Sequence, residues 1–320
     1  MIDAVYTWVD GGDPEFCRAL RAAAPEAGAF DARQHLYECN DELRYSLRSV
    51  ERHLPWIRRI HLVTNGQKPD WLIMGDKIRL VPHRAVFPDP RVLPTFNSHA
   101  IELNLHRIPD LSAKFLYLND DLFVGRPTSE DVFLDSAGDR FFLEGIHLDR
   151  DLDDANLTDR ACRRTLAIAS ARLDAPPPEW MPTHTPQLYD TEIIRELERL
   201  FADEFERTRK SPFRSSRDFL LRIAYATHVM ANGGRPVRLA SGGPDYSLVR
   251  LNTGFAARLR DLQTVRSQRP RFFCLNNEPA AGWSGRFADR LTPGFLRLYF
   301  PGRSRFEKPS RFHRAARAES

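Results

Sequence analysis

The stretch FLYLNDDLFVG, residues 115–125, decides the fold. Phe115 to Leu118 have the apolar density of a buried strand, Asn119-Asp120-Asp121 interrupt it, and Leu122 to Val124 resume it. A strand buried on both faces belongs to a parallel sheet covered by helices. In such sheets ligands bind outside the carboxyl ends of the strands. Two adjacent carboxylates there repel, and burial makes ionising both harder, so a positive charge is expected beside them. A divalent cation such as Mg2+ or Mn2+ takes oxygen ligands and bridges phosphates; an Asx turn with a helix cap explains the same triplet without one. Strand side chains alternate, so Asp120 and Asp121 share one site only if the strand ends between them.

Working outward, the first half alternates strands and helices. Ile2–Val9, Ile60–Thr64 and Ile78–Val81 read as strands, and Gly11–Pro14 as a turn. Residues 40–54 place Leu43, Leu47, Val50 and Leu54 at helical spacing behind Asn40 as N-cap. Thr95–Ser98 leads into a helix carrying Ile101, Leu105 and Ile108 on one face. Strands alternating with helices give an α/β fold with a largely parallel sheet. Residues 1–148 form the expected ligand-binding core. Residues 149–182, acidic and then Pro-rich, read as an insertion or lid. Residues 183–300 complete the domain with helices near 190–208 and 217–231 and a strand at 271–275. The stretch 301–320, with Arg303, Arg305, Arg311, Arg314 and Arg317 and few apolar anchors, reads as a frayed basic tail.

The 320 residues and 42% hydrophobic content allow one large core. Net charge is only +4, and only Lys68, Lys77, Lys114, Lys210 and Lys308 among the 47 basic residues are lysines. Arginine binds phosphate and carboxylate through a planar fork, which suits phosphorylated small molecules at least as well as nucleic acid; codon bias is the competing explanation. Four scattered cysteines show no metal-type or CxxC spacing, and no apolar run reaches membrane-spanning length. The expectation is a cytoplasmic protein with no nucleic-acid partner, its basic tail suited to peripheral association with the inner membrane face.

Several side chains could carry chemistry. Asp41, Arg44, Tyr45 and Arg48 form a polar stripe on the 40–54 helix, either a solvated ion-pair face or a group aimed at a ligand from the helix N-terminus. His184 sits between Pro182 and Pro186, where it could act as general acid or base or cap the next helix. Arg214 could clamp a phosphate or pair with Asp218.

Four blocks occur in order: IDAVYTWVDGGDP (2–14), the long block from NDELRYSLRSVERHL (40–54) through LPTFNSHAIELNLHRIPDLSAKFLYLNDDLFVG (93–125), THTPQLYDTEIIREL with KSPFRSSRD (183–218), and FFCLNNEPAAG with LRLYFPGRSRFE (272–307). Together they resemble the Stealth family, which includes bacterial capsule-polymer hexose-1-phosphate transferases and the catalytic subunit of the lysosomal-enzyme N-acetylglucosamine-1-phosphotransferase. The resemblance implies a glycosyltransferase-A-like nucleotide-binding sheet and a UDP-sugar donor. It also implies transfer of sugar plus phosphate to a glycan hydroxyl with release of UMP, in capsule or cell-surface polysaccharide synthesis. It implies that Asp3, Tyr6, Trp8 and Asp10 lie near the nucleotide and that Asn65 faces the cleft. It further implies that Asn97 and Ser98 touch donor or acceptor, and that Asp120 and Asp121 hold Mg2+ or Mn2+. His184, Asp41, Arg44 and Arg214 become the catalytic candidates, with Asp190 closing the histidine motif. The fourth block departs from the family's Asn-Asp with Asn276-Asn277, which leaves Asn276 as a phosphate or metal contact. A glycosyltransferase releasing UDP and a non-catalytic sugar binder are the competing readings.

Overall fold

The computed structural model describes residues 1–24, 37, 39–135, 138–148, 151–251, 253–276 and 291–309. Its central sheet contains β1 (Ile2–Thr7), β2 (Ile60–Thr64), β3 (Ile78–Pro82), β4 (Lys114–Asn119) and β9 (Gln187–Asp190), in the order β3-β2-β1-β4-β9. The first four run parallel, and β9 closes the edge antiparallel to β4. β1 pairs its sequence successor β2 on one side and the distant β4 on the other, so strand order reverses between β1 and β4. Their carboxyl ends frame the crevice in which such sheets bind ligands.

Apolar residues alternate within the buried strands and feed two layers. Ala4 and Tyr6 of β1, with Leu116 and Leu118 of β4, face α2 (Glu42–His53) through its Leu43, Leu47 and Val50. Val5, Phe115 and Tyr117 face the other way, onto Ala100 of α3 (Ser98–Glu102), Ile194 and Leu197 of α5 (Thr191–Leu200), Phe205 of α6 (Ala202–Arg209), and Leu221 and Ala224 of α7 (Leu221–Ala231). Each buried aliphatic side chain contributes about 1.5–3 kcal/mol, and a helix layer on both faces is the sandwich the parallel strands require.

Two smaller sheets adjoin this core. β5 (Leu122–Val124) leaves the central sheet immediately after β4 and pairs with β12 (Phe272–Asn276), which carries β11 (Tyr246–Arg250) on its other side. α8 (Phe255–Gln268) and α9 (Leu291–Tyr299) cover this sheet through Leu262, Val265, Phe295 and Leu296, packed with Phe123 and Phe273. The other sheet joins β6 (Leu134–Asp135), β7 (Gly138–His147), β8 (Trp180–Pro182) and β10 (Arg235–Arg238).

Several sequence expectations change. The Gly11–Pro14 turn opens a helix, α1 (Pro14–Ala23), because Asp13 Oδ1 accepts the Phe16 N–H at 2.8 Å and Pro14 fits the first helical position. The helix read near 190–208 divides into α5 and α6, and the one starting near 217 begins at Leu221. The segment read as a helical insertion or lid, by contrast, is helical: it contains α4 (Leu157–Leu173), capped by Asn156. Its Ala161, Cys162 and Leu166 pack with Leu220 and Ile223 at the start of α7. The basic tail is not frayed where it is described. Phe306 is buried, Ile73 N–H donates to its carbonyl at 2.7 Å, and Lys308 N–H donates to Trp71 O at 2.8 Å. Arg311, Arg314 and Arg317 lie outside the described residues, as does Asn277. Among the described residues no helix is long and apolar enough to cross a membrane.

Candidate active site

Register places the carboxylate pair at the crevice. Thr7, the last residue of β1, stands beside Asn119, the last of β4. Tyr117 donates its hydroxyl to Asn119 Oδ1 at 2.8 Å, and Thr7 Oγ1 lies 3.0 Å from the Tyr117 hydroxyl. This bonding fixes the strand end from which the next two residues project. Asp120 and Asp121 form the whole turn between β4 and β5, and Leu275 N–H bonds to Asp121 O at 3.0 Å. The strand ends at Asn119, one residue before the break between Asp120 and Asp121 that the alternation argument called for, so both carboxylates sit on the turn.

Both carboxyl groups are hemmed in by protein atoms although partly open to solvent. Burial, the neighbouring Asp121 and Glu42 push the Asp120 carboxyl well above its ordinary range. Burial also raises Asp121, and the positive fields of His184 and Arg214 oppose it. Asp121 Oδ2 accepts from Cys274 Sγ at 3.4 Å, whereas its Oδ1 is buried without a hydrogen-bond partner. Asn276 Oδ1, at the end of β12, is likewise buried and unpartnered. Among the described residues no group of three or more His, Cys, Asp and Glu side chains is arranged to hold a metal ion.

The amino end of α2 supplies the next wall. Asp41 is its N-cap in a left-handed conformation (φ 70°), in place of the expected Asn40. That conformation is uncommon for a residue with a Cβ. Asn40 instead donates its N–H and its side-chain amide to Glu42. Asp41 and Glu42 thereby face different partners. Asp41 Oδ2 lies 3.0 Å from Arg44 Nη1, and burial raises its carboxyl against the pull of Arg44, with the Glu307 charge adding to the rise. Glu42 is buried; burial raises it, Asn40 opposes, and the Asp121 charge adds to the rise. The Arg44 guanidinium lies 4.8 Å from the Trp71 ring centroid. Cys39 is pushed up to about 12 by burial and by the charges of Asp120 and Glu42, so it stays a thiol; Trp8 Nε1 is buried with no hydrogen-bond partner.

His184 occupies the half-buried loop between β8 and β9. Arg214 approaches from the segment before α7, where its Nε donates to Ser98 Oγ at 3.1 Å. It does not pair with Asp218. That carboxylate accepts instead from Asn97 Nδ2 at 2.9 Å and Ser215 N–H at 3.0 Å and meets His99 Nδ1 at 3.0 Å. Arg214 therefore keeps its charge directed at the crevice.

Other expected contacts lie elsewhere. Asp3 is the second residue of β1, at the end of the sheet away from the crevice. It is fully buried with Arg58 Nη2 at 2.6 Å, His61 Nε2 at 3.1 Å and Ser112 N–H at 2.9 Å. Asp190 pairs in register with Lys114, the first residue of β4, and its Oδ1 caps α5; it too is at the far end. Asn97 uses its amide on Ser211 O, Phe213 O and Asp218 and its oxygen on the His99 N–H, which leaves it a scaffold role. Tyr6 is buried, bonded to Ser46 Oγ at 2.8 Å. Asp10 and Asn65 remain exposed at the carboxyl ends of β1 and β2, joined through Gln67. Conversely, sequence reasoning missed Glu42, Cys274 and Trp71; only the placement of Glu42 beside Asp41 in the first helical turn hinted at any of them.

Three conserved-region profiles match the chain in order: Stealth protein CR1, conserved region 1, over residues 2–26; CR2, conserved region 2, over 36–142; and CR3, conserved region 3, over 183–231. A Streptomyces coelicolor protein named exopolysaccharide phosphotransferase is 36% identical over 97% of this chain and 53% of its own length. The exopolysaccharide phosphotransferase CpsY of Mycobacterium tuberculosis is 37% identical over 96% of this chain and 58% of its own length. The chain thus spans about half the length of the curated relatives it matches. Among solved structures, the galactosyltransferase LgtC, in complex with donor and acceptor sugar analogues, matches 98% of this chain and 99% of its own at 14% identity and TM-score 0.44. The glycosyltransferase GlyE of Streptococcus pneumoniae matches 94% of this chain and 61% of its own at 12% identity and TM-score 0.42. These two likenesses are too loose to assign chemistry. The three conserved regions, which together span more than half of the residues, decide the matter: the chain belongs to the Stealth family.

Proposed function

We propose that this chain transfers a sugar 1-phosphate from a UDP-sugar to a hydroxyl of a glycan acceptor, releasing UMP, in the synthesis of a cell-surface or exopolysaccharide. The observation that carries the reading is the half-buried Asp120-Asp121 turn at the crevice, with Glu42 behind it and His184 and Arg214 in electrostatic reach. The names of the curated relatives support the same class of reaction.

The residues fit a divalent cation. Unpartnered acceptor oxygens on Asp121 and Asn276, and carboxyls raised first by burial and, for Asp120, by the charges of Asp121 and Glu42, are what a site for a positive charge would show. Mg2+ commonly takes only one or two protein carboxylates and completes its shell with phosphates and water, which agrees with the absence of a larger ligand cluster among the described residues. Asp120 and Asp121 would hold it, with Asn276 beside them, and the ion would neutralise charge on the two phosphates.

The chain's own groups account for the rest. The acceptor oxygen attacks the β-phosphorus, a new P–O bond forms, and the bond to the bridging oxygen breaks with its electron pair leaving on UMP. His184 takes the acceptor proton, as an imidazole suits at neutral pH. Arg214, with no carboxylate partner among the described residues, and Arg44, oriented by Asp41 and Trp71, offer guanidinium donors to phosphate oxygens. Such a transition state gains chiefly from positioning and charge neutralisation.

Incubation with a panel of UDP-sugars, an oligosaccharide acceptor and Mg2+ or Mn2+ tests the reading. UMP and a phosphodiester-linked product are expected. Release of UDP with a glycosidic product would make the chain a glycosyltransferase, and no metal-dependent turnover of any donor would leave it a binder. His184→Ala is expected to lower turnover by on the order of 10²–10⁴. If it keeps normal turnover while Asp41→Asn loses it, the base is Asp41.

A further inference from the structure

A cavity bordered by arginines lies at the opposite end of α2 from the crevice. Glu42 opens that helix and His53 closes it, so at 1.5 Å per residue the two ends are roughly 16 Å apart. The cavity has a volume of about 380 Å³ and is lined by Arg52, His53, Arg126, Arg269, Leu298 and Tyr299, among others. Its walls come from four segments: the end of α2, the turn after β5, the α8–β12 connection, and the end of α9. Gly125 forms part of the floor, and a Cβ there would collide with the Pro270 carbonyl. The floor is therefore closely packed, not loosely filled.

Three guanidinium groups border this space, and the charge is poorly balanced. Arg126 pairs with Asp245 at 2.9 Å, but Arg52 and Arg269 have no carboxylate partner among the described residues. His53 Nδ1 is buried with no hydrogen-bond partner. Burial, then the positive fields of Arg52 and Arg269, push that imidazole down to about 4. Like charges brought together around a cavity repel, less strongly where, as at Arg52 and Arg269, solvent reaches them, and an anion held between them relieves the repulsion. A tetrahedral phosphate offers several oxygens to donors arriving from different sides, where a carboxylate offers two, and clustered arginines suit it.

We propose that this cavity is an accessory site for a phosphate ester, distinct from the reaction centre. If the proposed transfer holds, each turnover adds a phosphodiester to the product, and the growing polymer becomes a source of such a group; that attribution rests on the proposed function, whereas the site does not. A lipid headgroup is the other source of the same chemistry.

The test needs no donor and no turnover. Glycerol phosphate is titrated into the full chain, with affinity read by calorimetry and the His53 ring resonances followed by NMR. Saturable binding that moves the His53 signals is expected. Arg52→Gln/Arg269→Gln, two exposed positions whose exchange leaves the core intact, should weaken binding at least tenfold, and Arg52→Lys/Arg269→Lys should restore part of it. Unchanged affinity in the glutamine variant, or His53 signals that stay put at saturation, would overturn the site. Phosphatidylglycerol vesicles displaced by glycerol phosphate would support it and identify the headgroup as a source. Vesicle binding that glycerol phosphate cannot displace would count against it.

Discussion

Asp41 and Glu42 are neighbours in sequence, yet the left-handed Asp41 turns them to different partners. Glu42 joins Asp120 and Asp121, while Asp41 joins Arg44. Glu42→Gln should therefore weaken Mg2+ binding by roughly ten- to a hundredfold, the effect usual for groups that support a ligand. Asp41→Asn should change turnover and leave Mg2+ affinity within about twofold, a contrast calorimetry with Mg2+ alone would read. Asp3 makes the opposite case, a carboxylate whose work is structural. Burial alone would raise it, but hydrogen bonds from Arg58, His61 and the Ser112 N–H overcome that and hold it well below its ordinary value. Its contribution is complete above the unfolded value of 3.8 and is lost as pH falls through the depressed folded value. Asp3→Asn, by stranding Arg58 beside His61, should cost about 3 kcal/mol in urea unfolding at neutral pH. It should also flatten the acid limb of the stability curve and leave donor affinity unchanged. The sequence held the identity of both residues but not their direction: a motif residue one strand-length from the crevice reads the same as one at its mouth.

At the scale of elements, α2 is a strut between two charged ends, and residues 301–309 fasten it. Glu307 Oε1 and Oε2 accept from Arg48 Nε and Nη2, each at 2.7 Å, and Ser304 N–H donates to the same carboxylate at 2.8 Å. The Glu307 side chain is only 4% exposed, so losing its charge leaves Arg48 poorly compensated. Glu307→Gln is expected to destabilise by about 3 kcal/mol. It should also lower the Asp41 carboxyl, since the Glu307 charge helps to raise it; chemical denaturation and a carboxyl NMR titration would check the two effects. Phe306→Ala should cost about 3 kcal/mol through the cavity it leaves. This clasp was not legible beforehand because its partners are 259 residues apart, and an arginine-rich segment with one phenylalanine gives no periodic signal. The parallel strands were legible because burial writes short, mostly apolar runs, interrupted only by Asp3, His61 and Arg79. The edge pairing of β9 was not, since QLYD is short and its direction is set by tertiary contact with β4.

The whole molecule explains why the proposed chemistry would fall at the crevice. Asp120-Asp121 is the turn where the central sheet passes into the β5-β12-β11 sheet, and His184 lies on the loop where the β8 strand of the remaining sheet passes into β9. Three sheets therefore meet at one cluster of unbalanced charge, which sequence blocks read in order could suggest only as separate motifs. A cation and a diphosphate bound there would touch segments belonging to all three. Binding that favours only the folded state stabilises by RT ln(1 + [L]/Kd), about 2.7 kcal/mol at a hundredfold excess over Kd. With Mg2+ and a UDP-sugar at that excess, the unfolding transition should move upward as a single step. Asp121→Asn should abolish the shift while retaining the unliganded transition, because it removes the charge that would hold the cation while keeping the shape of a side chain whose Oδ1 has no hydrogen-bond partner. A profile that splits, with one step moving and the other fixed, would mean that the ligand bridges fewer sheets than the turn at 120–121 joins. Differential scanning calorimetry with and without ligand reads the difference directly.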